Sequence, residues 1–242
     1  MIRVIWVALV GAGATFFYGG RAIVASLLGR RGPFYSDLTR GWARAILRAS
    51  GCPVVLHGEE HVRADGARVI VSNHVSWFDV FALASVVPGP YAFVAKKELE
   101  AVPFFGRAWK AAGHVSIDRS DRSKAIASLR RAGERIRAER SAVIIFPEGT
   151  RSRTGRLQPF KKGAFMLAVE AGVPVVPTVV VGSYDIMRPD TWKVRPSTIH
   201  LHFCEPIPAG CVNAENAEVL MDGVHARMAQ VLRETESLPP LP

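Results

Sequence analysis

Short β-branched runs, each handing over to a polar loop and then to a stretch with helical spacing, constrain this chain most. Val69–Ser72, Ala142–Phe146 and Val173–Val181 are such runs. They are too short and too β-branched for helices and read as buried strands. Val54–His57, Tyr91–Ala95, His114–Ile117 and Thr198–Phe203 are further strand candidates. Helical spacing is found over Ser36–Ser50, Trp77–Val87, Asp121–Arg140, Lys161–Ala171 and Glu215–Glu234, and over Lys97–Ala112 with a break near Pro103. The prolines of Val173–Val181 point to an edge position or an irregular strand, because proline cannot donate to a sheet ladder. Strands alternating with helices imply an α/β fold: a single domain with a central mixed sheet flanked by helices. The length of 242 residues suits one such domain.

The first 50 residues follow a different pattern. Val4–Gly20 runs for 17 residues without a charge, Arg21 interrupts, and the apolar sequence resumes to Gly29. A spanning helix needs about 20 apolar residues, so three readings compete. They are a spanning helix, a helix or helical pair lying in one leaflet, and a cleaved signal peptide ending near Ala12-Gly13-Ala14. A core helix of a soluble domain would show one polar face, which this run lacks. Seven arginines in residues 1–50 face one aspartate, a local charge of +6 within a chain of net charge +10. Arg30, Arg31, Arg40, Arg44 and Arg48 all follow the apolar run, which by the positive-inside rule puts the rest of the chain on the cytoplasmic side, at the inner membrane if the source is bacterial. Aromatic residues do not alternate with these charges as a base-stacking surface requires, so nucleic acid is not the expected partner. The chain thus divides into a membrane-associating helical segment (1–50), a central domain (51–212), and an amphipathic helix with a loose tail (213–242).

Cys52, Cys204 and Cys211 form no CxxC pair and give no disulfide framework. His200-x-His202-x-Cys204, with Cys211 beyond it, lacks the close pairing of a zinc site, so no metal is expected. No G-x-S-x-G, HExxH or complete dinucleotide fingerprint is present.

Chemistry concentrates in two loops. Asn73-His74-Val75-Ser76-Trp77-Phe78-Asp79 follows the strand Val69–Ser72. Five residues of helix turn through about 500°, so His74 and Asp79 meet only if His74 precedes the helix and Asp79 lies in its first turn. Ser76-x-x-Asp79 is a capping-box pattern, which directs the Asp79 side chain back toward His74. A carboxylate on one imidazole nitrogen orients the ring and sets its tautomer for general-base work. Taken alone, this spacing is equally that of a helix cap beside an ordinary histidine. The second loop, Phe146-Pro147-Glu148-Gly149-Thr150-Arg151-Ser152-Arg153, follows the strand Ala142–Phe146. Gly149 permits a tight turn, and arginine's planar fork suits phosphate. Glu148 is placed to orient an arginine or a substrate hydroxyl.

Together these loops resemble the glycerolipid acyltransferase family, specifically the 1-acylglycerol-3-phosphate (lysophosphatidate) acyltransferases. Two further blocks match. One runs from Ala95-Lys96-Lys97-Glu98-Leu99 through Pro103 and Gly106 to Val115-Ser116-Ile117-Asp118-Arg119, and the other is Val173-Pro174-Val175-Val176-Pro177. The resemblance implies that His74 is the base, that Asp79 holds its tautomer, and that the acceptor hydroxyl attacks the thioester directly. No acyl-enzyme, cofactor or metal takes part. It implies Lys96, Arg119 and Arg151 as phosphate ligands, with Glu148, Gly149 and Thr150 in the same substrate pocket and Pro177 in a groove. The implied donor is acyl-CoA or acyl carrier protein, the acceptor lysophosphatidate, and the setting a lipid bilayer. An acceptor such as a lyso-ornithine lipid would carry nearly the same motifs. A hydrolase and a silent lipid-binding scaffold are the rivals from other classes.

Overall fold

The computed structural model describes residues 2–62, 66–118, 122–209 and 214–236. Arg119, Cys211 and the tail from Ser237 lie outside the described residues. The elements in chain order are α1 (Ile2–Leu27), α2 (Phe34–Ser50), β1 (Val54–His57), β2 (Arg68–Ser72), α3 (Trp77–Val86), β3 (Tyr91–Lys96), α4 (Phe105–Ala111) and β4 (Val115–Ile117). They continue with α5 (Arg122–Glu139), β5 (Ala142–Ile145), α6 (Gly163–Ala171), β6 (Val175–Val181), the short α7 (Ser183–Ile186), β7 (Ile199–Phe203) and α8 (Ala214–Glu236). The expected break near Pro103 separates a 3-10 turn, Lys97–Ala101, from α4.

The strands form one mixed sheet in the order β1-β7-β6-β2-β5-β3-β4, as expected of an α/β domain. All neighbours are parallel except β6 and β7. Alternation along each strand divides the core into two layers. Val69, Val71, Val143 and Val175 pack beneath α5, α6 and α8, whereas Ile70, Ile144 and Val176 pack against α2, α3 and α4. Both faces of β2 and β5 are buried, which is why these strands read as continuous apolar runs rather than alternating ones.

The edge expectation for the proline-bearing strand is overturned, because β6 lies inside the sheet between β7 and β2. The irregularity is real. Val175 exchanges both backbone hydrogen bonds with Ile207, and regular pairing to β7 begins only at Thr178↔Phe203. Pro177 falls in that gap, its carbonyl accepting from Cys204 N. By alternation its nitrogen faces the same gap, so the absent N–H leaves no ladder bond unmade.

Arg21 does not interrupt the N-terminal helix, since α1 continues through it for 26 residues. This is the helix, among the described residues, that is long and apolar enough to cross a membrane. Ile5, Trp6, Leu9, Phe16, Phe17 and Val24 are more than half exposed along it, so α1 is no core helix. Its other side docks on α2 and α4. Gly41 on α2 permits that approach, because a Cβ there would lie 2.5 Å from the Tyr18 ring. Two of the arginines that follow the apolar run are engaged by the domain. Arg40 donates to Val87 O and Gly89 O, and Arg44 to Ser85 O. These carbonyls lie at and just beyond the end of α3, where helix carbonyls lack intrahelical partners.

Where β2 ends, a side chain continues its ladder. Asn73 Nδ2 donates to Val180 O at 3.0 Å and Asn73 Oδ1 accepts from Val180 N at 2.7 Å. Asn73→Ala is therefore expected to cost about 1–3 kcal/mol for each backbone group left unpaired. A urea unfolding midpoint equal to that of the wild type would show that this clamp contributes nothing.

Candidate active site

Because β6, β2, β5 and β3 are adjacent and mutually parallel, their C-terminal ends open at one edge of the sheet. Four segments distant in sequence therefore meet there. They start at Gly182 after β6, Asn73 after β2, Phe146 after β5, and Lys96 at the end of β3.

His74 precedes α3 and Asp79 occupies its first turn, the arrangement that the five-residue spacing requires. Ser76 caps the helix, its Oγ accepting from Phe78 N at 3.3 Å. The Asp79 carboxylate is fully buried. Its Oδ2 accepts from Val75 N at 2.7 Å and Ser76 N at 2.8 Å, and lies 2.9 Å from His74 Nδ1. Oδ1 accepts from Ser183 Oγ at 2.5 Å. An oxygen that already receives two backbone N–H groups has only lone pairs to offer the imidazole. Nδ1 therefore carries the proton, and Nε2 keeps the free pair a general base needs. The ring lies on Phe146, with centroids 4.1 Å apart and planes 20° apart.

The backbone of His74 is held as firmly as its ring. His74 N donates to Glu148 Oε1 at 3.0 Å, and His74 O accepts from Ser152 N at 2.7 Å. Gln158 Nε2 donates to the other Glu148 oxygen at 2.7 Å. Glu148 thus lies behind the histidine, tying the two loops together, and it is 4% exposed. Burial pushes its carboxyl up to about 7. The hydrogen bonds from Gln158 and His74 oppose that rise, and the nearby Asp79 charge adds to it.

In front of His74 lies a cavity of about 670 Å³. Aromatic rings of Trp42, Phe81, Phe93 and Trp109 line it, and Tyr18 and Ala22 of α1 complete the wall. His114 also lines it, yet burial and then the Arg135 charge hold that imidazole down to about 3, so it stays neutral. Lys96, Gly149, Thr150 and Arg151 line the cavity together with His74. Arg151 lies 5.0 Å above the Trp77 ring. Gly149 has φ +77°, and a Cβ there would come 2.9 Å from Lys161 Nζ. Arg119 lies outside the described residues. Pro177 is in the sheet, away from the cavity-lining residues.

Sequence reading missed Ser183 and Gln158, since neither falls in a recognisable motif. Ser183 follows β6, and only the pairing of β6 with β2 brings it to Asp79. Away from this edge, His200 and His202 stack with His57 of β1, while Cys204 is buried in the core. Among the described residues no group of three or more His, Cys, Asp or Glu side chains is placed to hold a metal.

Comparison with known proteins adds an independent line. The profile of the family described as Acyltransferase matches residues 53–181. A 1-acyl-sn-glycerol-3-phosphate acyltransferase of Cocos nucifera is 33% identical over 207 residues, covering 86% of this chain and 66% of that protein. One from Limnanthes douglasii is 36% identical over 178 residues, covering 74% and 62%. One from Saccharomyces cerevisiae is 30% identical over 235 residues, covering 96% and 77%. The chain thus spans slightly under two thirds of the plant relatives' length. The crystal structure of the 1-acyl-sn-glycerophosphate acyltransferase PlsC from Thermotoga maritima superposes with a TM-score of 0.82 at 25% identity, covering 99% of this chain and 97% of that one.

The raised carboxyl of Glu148 has a consequence for stability. Below its ordinary value of 4.5 the group is protonated folded or unfolded. Between 4.5 and about 7 the folded chain keeps a proton that the unfolded chain has released, so stability falls as pH rises through that window. Glu148→Gln removes the titration. The difference in Tm between variant and wild type should move in the variant's favour from pH 4.5 to 7 and then level off. Circular-dichroism melts with a constant difference across that window would contradict the assignment.

Proposed function

The chain belongs to the acyltransferase family, and on that premise we propose that it moves a fatty acyl group from an acyl thioester to the sn-2 hydroxyl of 1-acylglycerol-3-phosphate, forming phosphatidate. The observation that carries the reading is His74 itself. Its Nδ1 is engaged by a buried carboxylate, and the ring lines an apolar cavity together with the cations Lys96 and Arg151.

In this reading Nε2 of His74 takes the proton of the acceptor hydroxyl as its oxygen attacks the thioester carbonyl carbon. Asp79 stabilises the resulting imidazolium. The tetrahedral intermediate collapses by breaking the carbon–sulfur bond, and the imidazolium returns its proton to the departing thiolate. The ester product and the free thiol account for every atom, and no cofactor or metal enters. Lys96 and Arg151, with Arg119 proposed beside them, bind the acceptor phosphate; a guanidinium fork is suited to two phosphate oxygens. The aromatic cavity accommodates an acyl chain. The donor is acyl-CoA or acyl carrier protein.

The exposed apolar side of α1 supports a position at a lipid bilayer, either spanning it or lying in one leaflet. Exposed Arg30 and Arg31 just after α1 support a cytoplasmic catalytic domain. This arrangement brings the cavity wall, which α1 helps to form, to the surface where the acceptor lipid and its product reside.

Purified protein in detergent, incubated with a labelled acyl thioester and lysophosphatidate, is expected to form phosphatidate. His74→Ala is expected to lower kcat by about 10²–10⁴-fold. Wild-type protein that acylates only a lyso-lipid without phosphate, such as a lyso-ornithine lipid, would overturn the acceptor assignment. Free fatty acid released without any acceptor would identify a hydrolase instead.

A further inference from the structure

We infer that Ser183 is a positioning residue for this site, acting on His74 through Asp79. The inference rests on the acyl-transfer reading for its kinetic consequence, though not for its structural one. Ser183 lies two residues beyond the stretch matched by the family profile, which ends at residue 181, and no sequence motif marks it. It is fully buried, and it is not among the residues lining the cavity.

The geometry around Asp79 is asymmetric. Three donors crowd Oδ2: the backbone N–H groups of Val75 and Ser76, and His74 Nδ1–H. Among the described residues, Oδ1 has one donor, the Ser183 hydroxyl at 2.5 Å. A donor on the other oxygen adds a second hold, on the far side of the Cβ–Cγ axis, against rotation of the carboxylate. Ser183 thus helps to set which direction the Oδ2 lone pairs face, and so how well one of them meets Nδ1–H. Among the described residues it also supplies the one partner of a buried, charged oxygen; leaving such an atom unpaired is costly.

The chain turns sharply to place this hydroxyl. β6 ends at Val181, and Gly182 adopts φ +88° before Ser183 opens α7. A Cβ at 182 would lie 2.3 Å from Thr198 O, so only glycine lets β6 pass this close to the loop before β7. β6 is the immediate parallel neighbour of β2, and so the residue after that turn faces the start of α3. Met187 O, just past α7, accepts from Ser76 Oγ at 2.7 Å, tying the same segment to the helix cap beside Asp79.

Removing the hydroxyl has a defined chemical effect. With Oδ1 unpaired, the carboxylate plane is freer to turn. That turn worsens the alignment of Oδ2 with Nδ1–H. The imidazole then redistributes toward the Nε2–H tautomer, which places a proton on the atom that must accept one. Substrate contacts are untouched, so the loss falls on kcat.

The test uses the full chain in detergent, as Ser183→Ala and as Ser183→Thr, which keeps the hydroxyl. Ser183→Ala is expected to lower kcat roughly 10–100-fold, the worth of one hydrogen bond to a charged group. KM should be unchanged. Ser183→Thr should restore most of the rate. Independently of activity, ¹⁵N-histidine NMR should show an Nδ1-protonated ring in the wild type, assigned by its absence from His74→Ala. That signature should be diminished in Ser183→Ala and kept in Ser183→Thr. If Ser183→Ala does not fold, Ser183→Cys, a weak donor of similar size, takes its place with the same expectations.

An unchanged Nδ1–H signature in the variant that lacks the hydroxyl overturns the inference, whether or not kcat falls. A rise in KM at constant kcat overturns it too. A wild type with no acyl-transfer activity, whose tautomer nonetheless depends on Ser183, would refute the proposed reaction and leave the positioning role standing.

Discussion

The site depends on one buried carboxylate. Asp79 is closed off from solvent and is held by donors from three directions: the backbone just before α3, the imidazole of His74, and the hydroxyl that follows β6. A carboxylate removed from water needs such donors, since an unpaired buried charge is costly. Each donor supplied here is also a structural tie. The two N–H groups set the turn that starts α3, Ser183 joins the end of β6 to it, and His74 Nδ1–H presents the ring to the cavity. The interaction that makes Asp79 tolerable inside the protein is therefore the same one that orients the imidazole.

A second set of ties holds the histidine from behind. Glu148 links the backbone of His74 to Gln158, and Ser152 donates to the His74 carbonyl. The loop after β5 is thereby fastened to the loop after β2 at two points. That loop also carries Thr150 and Arg151, so the Arg151 cation beside the cavity is referenced to the imidazole through the Ser152–His74 backbone bond and the buried Glu148 side chain. Rigid support of this kind keeps reacting groups within the narrow tolerances that catalysis requires.

The N-terminal helical pair is part of the same construction. α2 contributes Ala43 and Leu47 to the core layer that contains Phe78 and Phe93. α1 closes the cavity with Tyr18 and Ala22 while presenting Ile5, Leu9 and Phe17 outward. The helix that carries the exposed apolar face and the helix that walls the cavity are one element, which couples the proposed bilayer contact to the proposed acyl pocket.

Much of this was legible in the sequence where the signal is local. The β-branched runs, the helix stops, the long apolar start and the capping pattern Ser76-x-x-Asp79 depend on residues within one turn or one strand of each other. The helix turn per residue also set the condition under which His74 and Asp79 can meet, with His74 ahead of the helix and Asp79 in its first turn. The order of the strands was not available in this way, because any of several arrangements buries the same apolar runs. It placed the proline-bearing β6 in the interior, where a gap opposite Pro177 accommodates the missing N–H. It also brought Ser183 to a carboxylate 104 positions earlier in the chain. It put Glu148 behind the histidine, and it turned Arg40 and Arg44 onto the end of α3. The sequence by itself determined which residues have the chemistry to act as base, orienter and cation. The tertiary structure alone decided which groups hold them, because burial and hydrogen-bond partners depend on neighbours that only the folded sheet brings together.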